Sequence, residues 1–302
     1  MIDLIAPVPT RIDTSPNSAV ALKYQKKTDE WTKDDFDLIR HMQIDYFGMP
    51  LALGGLSTAF KIASDWAKPF ERSLADGGHP RTIIVPDTWS NVFSFMGAFF
   101  FVCFALLYVA RLALFPKKCQ KEWDSPHNSP AFGLITITVM LYSFLVYDEM
   151  KFRDDKGSEE NPQKFGRVLW WLGAVPHAIL TVIKFGEWVG RRLEMEHLHA
   201  TWMIFPVGLG VAALAAPIVG VFADDNGNSV GNVMIARFFY SFAWLMWITL
   251  FVGTFFKTVT THNSDDRLRH GVFIWVAAPC ILGLADVFDR AIAATQQLLL
   301  LS

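Results

Sequence analysis

Seven apolar runs divide the chain, and their lengths limit what it can become. A helix needs about 20 mainly apolar residues to cross a bilayer. Tyr46–Ala63, Trp89–Phe115, Phe132–Tyr147, Val168–Gly186, Ala200–Ala223, Val233–Phe256 and Gly271–Phe288 meet or approach that length. The third is short and begins near Pro130. Composition agrees: 52% of the 302 residues are hydrophobic and only 19% charged, below the roughly 25% of soluble domains. The chain therefore reads as an all-α, multi-pass membrane protein. Residues 1–45 form a polar, partly disordered N-terminal tail, 46–288 a transmembrane helical domain, and 289–302 the stub of a possible eighth helix. A net charge of −2 identifies no partner, and no nucleic acid is expected. Cys103, Cys119 and Cys280 are widely spaced, which suggests neither a disulfide framework nor a metal knuckle.

Lysine and arginine in the short loops set orientation. With the N-terminus inside, the inner face collects Arg111, Lys117, Lys118 and Lys121, then Arg191 and Arg192, then Lys257, Arg267 and Arg269. The outer face holds Lys68, Arg72 and Arg81 in the first loop and no basic residue in Asp224–Gly231. Asp148–Arg167 breaks the pattern with five basic residues, accompanied by six acidic ones. The expectation is a cytoplasmic N-terminus and a multi-pass protein of the plasma membrane.

The runs alternate in character. Odd runs carry prolines: Pro50, Pro130, Pro206 with Pro217, and Pro279. A mid-helix proline costs about 3 kcal/mol in water, and a membrane bundle tolerates it when neighbours satisfy the freed carbonyl. Odd runs also carry small-residue stripes, Gly55, Ala59 and Ala63 in the first and Gly208, Ala212, Ala216 and Gly220 in the fifth. Such stripes let backbones approach closely. Even runs are rich in aromatics, such as Phe93, Phe95, Phe99 and Phe104 in the second and Phe238, Phe239, Trp244 and Trp247 in the sixth. The pattern predicts an inner ring of kinked odd-numbered helices, paired as hairpins with an outer ring of even-numbered helices that face lipid. Pro176, in the fourth run, is an exception.

Several stretches, in order, resemble one family. Tyr46–Leu56, with Gly48-Met49-Pro50, is similar to the first helix of the tellurite-resistance/dicarboxylate transporter family, which includes slow-type anion channels and malate permeases. Lys121-Glu122-Trp123-Asp124-Ser125-Pro126 resembles its acidic turn before the third helix, with Ser125 where histidine is usual. Leu169–Ala174, Ala200–Gly210 and Phe238–Ala243 resemble the starts of its fourth, fifth and sixth helices, and Val272–Pro279 its seventh. The resemblance implies a fold of ten helices, five inner and five outer, surrounding a central pore, commonly a trimer with one pore per subunit. Against that fold the chain supplies seven spans and a stub, as in a truncated chain. The family's gating phenylalanine lies on the ninth helix, so no residue here is assigned to it.

The implied function is a passive anion channel or small organic-acid transporter, with chloride, nitrate or a dicarboxylate such as malate as substrate and no cofactor. Pore-lining candidates are Phe47, Gly48, Pro50, Gly54, Phe132, Thr136, Phe205, Pro206, Gly208, Phe273 and Pro279. The competing reading is that these prolines and glycines serve only close packing. An uncharged pore admits anions by shape and by the weak positive potential of backbone dipoles.

Lys61, Lys184, Arg237 and Asp286 lie near run ends. There the cations reach the headgroups, and Asp286 either pairs with a neighbour or marks a mouth. His197 and His199 beside Glu194 and Glu196 lack a third ligand at metal-like spacing, so a polar loop is favoured. His177 reads as a hydrogen-bond partner for a neighbouring helix. No catalytic motif is present, so an enzyme is not expected. Three alternatives remain: a non-conducting regulatory subunit, a seven-helix receptor and a membrane enzyme. The last run has no lysine for retinal.

Overall fold

The computed structural model describes residues 37–75, 87–153, 160–190, 198–221, 230–260 and 275–285. These residues are helical almost throughout, with no strand among them. The long helices are α1 (Gly48–Ala75), α2 (Asp87–Leu114), α4 (Phe132–Arg153), α5 (Glu160–Gly190), α6 (Ile204–Ile218) and α7 (Val230–Thr260); a short one, α3 (Pro116–Asp124), follows α2. A further apolar helix, α8, spans Trp275–Ala285. Phe273, Asp286, His197, Glu194, Glu196 and the expected stub at 289–302 lie outside the described residues.

Five segments are long and apolar enough to cross a membrane: Thr88–Leu114, Ser129–Val146, Lys164–Gly190, Ala200–Ile218 and Met234–Thr260. They correspond to the second to sixth runs. α1 is 28 residues long, yet it is not among the five. Glycine, serine and threonine, with Lys61 and Asp65, dilute its leucines.

The main helix pairings are α1 with α2, α4 with α5 and α6 with α7, three successive hairpins. The first partner of each hairpin also packs inward: α4 touches both α1 and α6. Burial separates the two sets. Buried residues make up 56% and 72% of the most apolar stretches in Ser129–Val146 and Ala200–Ile218, against 11%, 39% and 22% along the spans of α2, α5 and α7. The expected division into inner odd and outer even helices is met by burial in α4 and α6 against α2, α5 and α7, and α1 joins the inner set by packing on α4. Aromatic side chains of the outer set point away from protein, with Phe95 75% and Phe238 61% exposed. Others, such as Phe239, turn inward onto Trp170.

The prolines act differently from the expected kinks. Pro50 and Pro206 are each the third residue of their helix. In the first turn the missing N–H has no helical acceptor to lose. Each is preceded by a 3₁₀ turn, Ile44–Phe47 or Ala200–Met203, and α4 follows a third, Ser129–Ala131, which contains Pro130. Three inner helices thus begin through tight turns that pack on one another at one end of the bundle. Helix-interior prolines are Pro69 in α1, Pro176 in α5 and Pro217 in α6, with Pro279 within α8. The packed structure also reaches back before α1, where Met42 and Ile44 are buried. After α6 the chain turns at Gly220, whose φ of 61° suits a residue without Cβ.

The acidic turn has a definite mechanical role. Arg111, at the end of α2, donates two hydrogen bonds to Glu122 of α3, at 2.8 and 2.7 Å. Both side chains are largely buried, at 4% and 11% exposure. A bidentate pair of this kind fixes orientation as well as distance. Removing one partner strands a buried charge, so Arg111→Met is expected to cost about 3 kcal/mol, read as a lower unfolding midpoint in detergent. Arg111→Met combined with Glu122→Met is expected to recover much of that loss, because both charges leave together.

Candidate functional site

The inner helices line a partly open cavity of about 360 Å³. Its lining comes from those helices alone: Leu51, Gly55 and Ala59 on α1, Ile137, Leu141 and Phe144 on α4, Val207, Val211 and Ala215 on α6, and Ile281 and Leu284 on α8, among others. No lining side chain is charged. The hydroxyl group in the wall belongs to Thr58, and it donates to the Gly54 carbonyl at 3.0 Å. A site of this kind holds no counter-ion for a permeating ion. It discriminates by width, by dehydration and by the fixed dipoles around it.

The expected pore residues stand beside this cavity rather than in its wall. Phe47, Gly48, Pro50 and Gly54 belong to the 3₁₀ turn and first two turns of the first inner helix, Phe132 and Thr136 to the start of α4, and Phe205, Pro206 and Gly208 to the start of α6. They gather at the end where the 3₁₀ turns meet, and the cavity occupies the continuation of the same helices. Phe47 and Phe205 are fully packed. Phe47 meets Phe101 and Tyr108 edge-on, and Phe205 meets Trp202 in the same way. Phe132 packs edge-on against Tyr108 and Trp123. Pro279 is half-buried within α8.

The stripe Gly55–Ala59 on α1 was expected to serve close packing. Instead these residues face the cavity, and a Cβ placed on Gly55 would meet nothing within 4 Å. Close packing falls to its neighbour Gly54, where an added Cβ would come within 2.8 Å of the Leu141 side chain. The stripe on α6 behaves as expected, with Gly208, Ala212 and Ala216 all buried.

His177 joins several of the candidates. It projects from the outer helix α5 into the gap between α4 and α6, and is fully buried. Nδ1 lies 2.7 Å from the Thr136 hydroxyl, and Nε2 lies 3.0 Å from the Phe205 carbonyl. The ring occupies space that glycines leave open: a Cβ on Gly208 would overlap it, and one on Gly133 would come within 3.3 Å of it. A buried polar side chain of this kind is stable only when hydrogen-bonded. Sequence reasoning assigned His177 a neighbouring partner but missed that the partners were pore candidates. Their shared glycines, at positions 133 and 208, were the available signal.

Lys184 is placed otherwise than expected. It does not reach outward to headgroups: its side chain is 2% exposed. Nζ donates to the Trp123 carbonyl at 2.9 Å and pairs with Glu187 at 3.2 Å. The ammonium also sits 4.0 Å from the centre of the Trp123 ring, a favourable cation–π distance. His199 packs edge-on against His127 at 5.0 Å between ring centres. No cluster of three metal-binding side chains occurs among the described residues.

Residues 41–296 match the voltage-dependent anion channel family, and the chain belongs to that family, the one its first-helix and acidic-turn motifs resemble. Its apolar helices and this membership make it an integral membrane protein. It is also similar to an uncharacterised transporter of Methanocaldococcus jannaschii, 20% identical over 194 residues. That match covers 63% of this chain and 53% of the relative, so the chain spans about half the length of the curated relative it matches.

Gly208→Ala is expected to destabilise the protein by about 2 kcal/mol, the usual cost of overfilling a packed site. Gly55→Ala, facing open space, is expected to change stability by less than about 0.5 kcal/mol. Paired thermal unfolding in one detergent checks both.

Proposed function

We propose that this protein provides a passive pathway for small anions, chloride, nitrate or a C4-dicarboxylate such as malate, through the centre of the inner helices. The observation that carries the reading is the uncharged cavity walled only by inner helices, α1, α4, α6 and α8. The aligned peptide dipoles of a helix leave partial positive charge at its N-terminus. Three such ends gathered at one side of an apolar path favour an anion there without a fixed cation to trap it. Weak binding of this type suits conduction, because an ion must leave as readily as it arrives.

The path runs past Phe47, Gly48, Pro50, Gly54, Phe132, Thr136, Phe205, Pro206, Gly208, Phe273 and Pro279, with the cavity as its wide part. The N-terminus lies in the cytoplasm, so the gathered helix starts face the cytoplasmic side of the plasma membrane. The working form is a homo-oligomer, a trimer with one path per subunit. Substrate energy comes from the electrochemical gradient, and the protein performs no covalent chemistry.

Reconstituted protein in a chloride or nitrate gradient is expected to show a reversal potential that follows the anion. A potential that follows potassium or sodium would sink the proposal. Gly55→Phe directs a ring into the cavity from a position with free space around it. It is expected to reduce anion flux about tenfold or more while leaving the unfolding midpoint close to that of the parent. Unchanged flux in a folded Gly55→Phe protein would remove the cavity from the path.

A further inference from the structure

A neutral ring can make both contacts of His177, and the cluster around it has room for one more proton. Thr136 Oγ1 lies 2.7 Å from His177 Nδ1 and 2.8 Å from the Gly133 carbonyl, and His177 Nε2 lies 3.0 Å from the Phe205 carbonyl. The carbonyls only accept. Three hydrogen bonds therefore need three protons. A neutral imidazole brings one and the threonine hydroxyl brings one, which leaves one contact without a proton. An imidazolium brings two. Nε2–H then donates to Phe205, Nδ1–H donates to Thr136, and the Thr136 O–H donates to Gly133. The cluster can take up a proton by turning one hydroxyl, with every heavy atom in place.

Among the described residues, the helices packed on His177 supply no fixed counter-charge. α6, which packs on one side, contains no ionisable side chain. α4, on the other, has none from Phe132 to Leu141, and the Tyr142 hydroxyl beyond them donates to the Ser94 carbonyl on α2. On α5 itself Lys184 is two turns away and already held by Trp123 and Glu187. A buried charge with no partner is costly. The cavity lies close by along the chain and could hold that partner: Ile137 and Val207, which line it, are the chain neighbours of Thr136 and Gly208.

We propose that His177, with Thr136 as its acceptor, is a proton-binding site whose charge is balanced by an anion in the adjoining cavity, so that anion occupancy and proton uptake favour each other. The proposal rests on the anion reading above and deepens it. Linkage makes the effect mutual: a proton on His177 raises anion affinity by the same factor as the anion raises proton affinity. Protonated His177 attracts the anion, and at higher pH that attraction is lost.

Anion flux through the reconstituted protein is expected to rise several-fold from about pH 7.5 to about pH 5.5, the range in which histidine commonly changes charge. In His177→Gln and Thr136→Val the rise is expected to vanish, and in Thr136→Ser, which keeps the acceptor, it is expected to remain. A pH dependence that survives both His177→Gln and Thr136→Val overturns the proposal, as does anion flux in the parent that ignores pH. Nitrogen NMR of His177 in the purified parent gives a reading independent of flux. Added nitrate is expected to shift both ring nitrogens toward imidazolium positions, and a ring that stays neutral across this range with nitrate present overturns the proposal. If the parent carries no anion flux, the channel reading fails, and the nitrate titration alone decides the proton site.

Discussion

Hydrocarbon offers no water to a backbone group, and the architecture follows from that constraint. Each N–H and C=O in a span must find a partner inside the protein. Helix starts are the weak points, because the first four N–H groups have no acceptor behind them. Here the starts of α1, α4 and α6 are drawn together through 3₁₀ turns at one end of the bundle. The carbonyls of these turns accept from the first N–H of each helix, at Gly48, Phe132 and Ile204, and Pro50 and Pro206 follow within the first α turn. The hairpin partners α2, α5 and α7 then wrap this gathering and meet the lipid.

Side-chain size completes the arrangement. Without water between helices, association in lipid depends on close contact and on polar bonds across the interface. Gly208 admits an imidazole where any Cβ would exclude it. His177 thereby ties the beginning of α6 to α4 through two hydrogen bonds. Nearer the other side, Ser57 of α1 bonds to Ser90 of α2, with the hydroxyls each reaching the other's backbone carbonyl at 2.8 and 3.0 Å. Polar contacts are thus spent on holding helices together, and the cavity wall between them is left apolar.

Much of this was legible in the sequence. Proline and small residues in odd runs, set against aromatics in even runs, predict inner and outer helices because packing and lipid contact select for size. What the composition did not reveal was position along a helix. Pro50 and Pro206 read as kinks because the 3₁₀ turns before them carry no distinctive residue pattern. Gly55 and Ala59 read as a packing stripe because a small residue beside a void and one beside a backbone look alike. Lys184 read as reaching outward because a lysine near a span end commonly does; its carbonyl and ring partners on Trp123 are 61 positions away in the chain. α3 was read as a basic loop, although Pro116 at its first turn was a helix-start signal.

Glu122 and Trp123 are adjacent in sequence, yet they are fastened to different outer helices, Glu122 to Arg111 of α2 and Trp123 to Lys184 of α5. α3 therefore works as a yoke. A force applied to this short surface helix, by a bound protein or by a change in its own charge, reaches two hairpins at once. Trp123 also rests on Phe132, the first residue of an inner helix, so the same force arrives at the mouth of the bundle. A segment that connects two spans in sequence is in mechanical terms the handle by which three of them can be moved together.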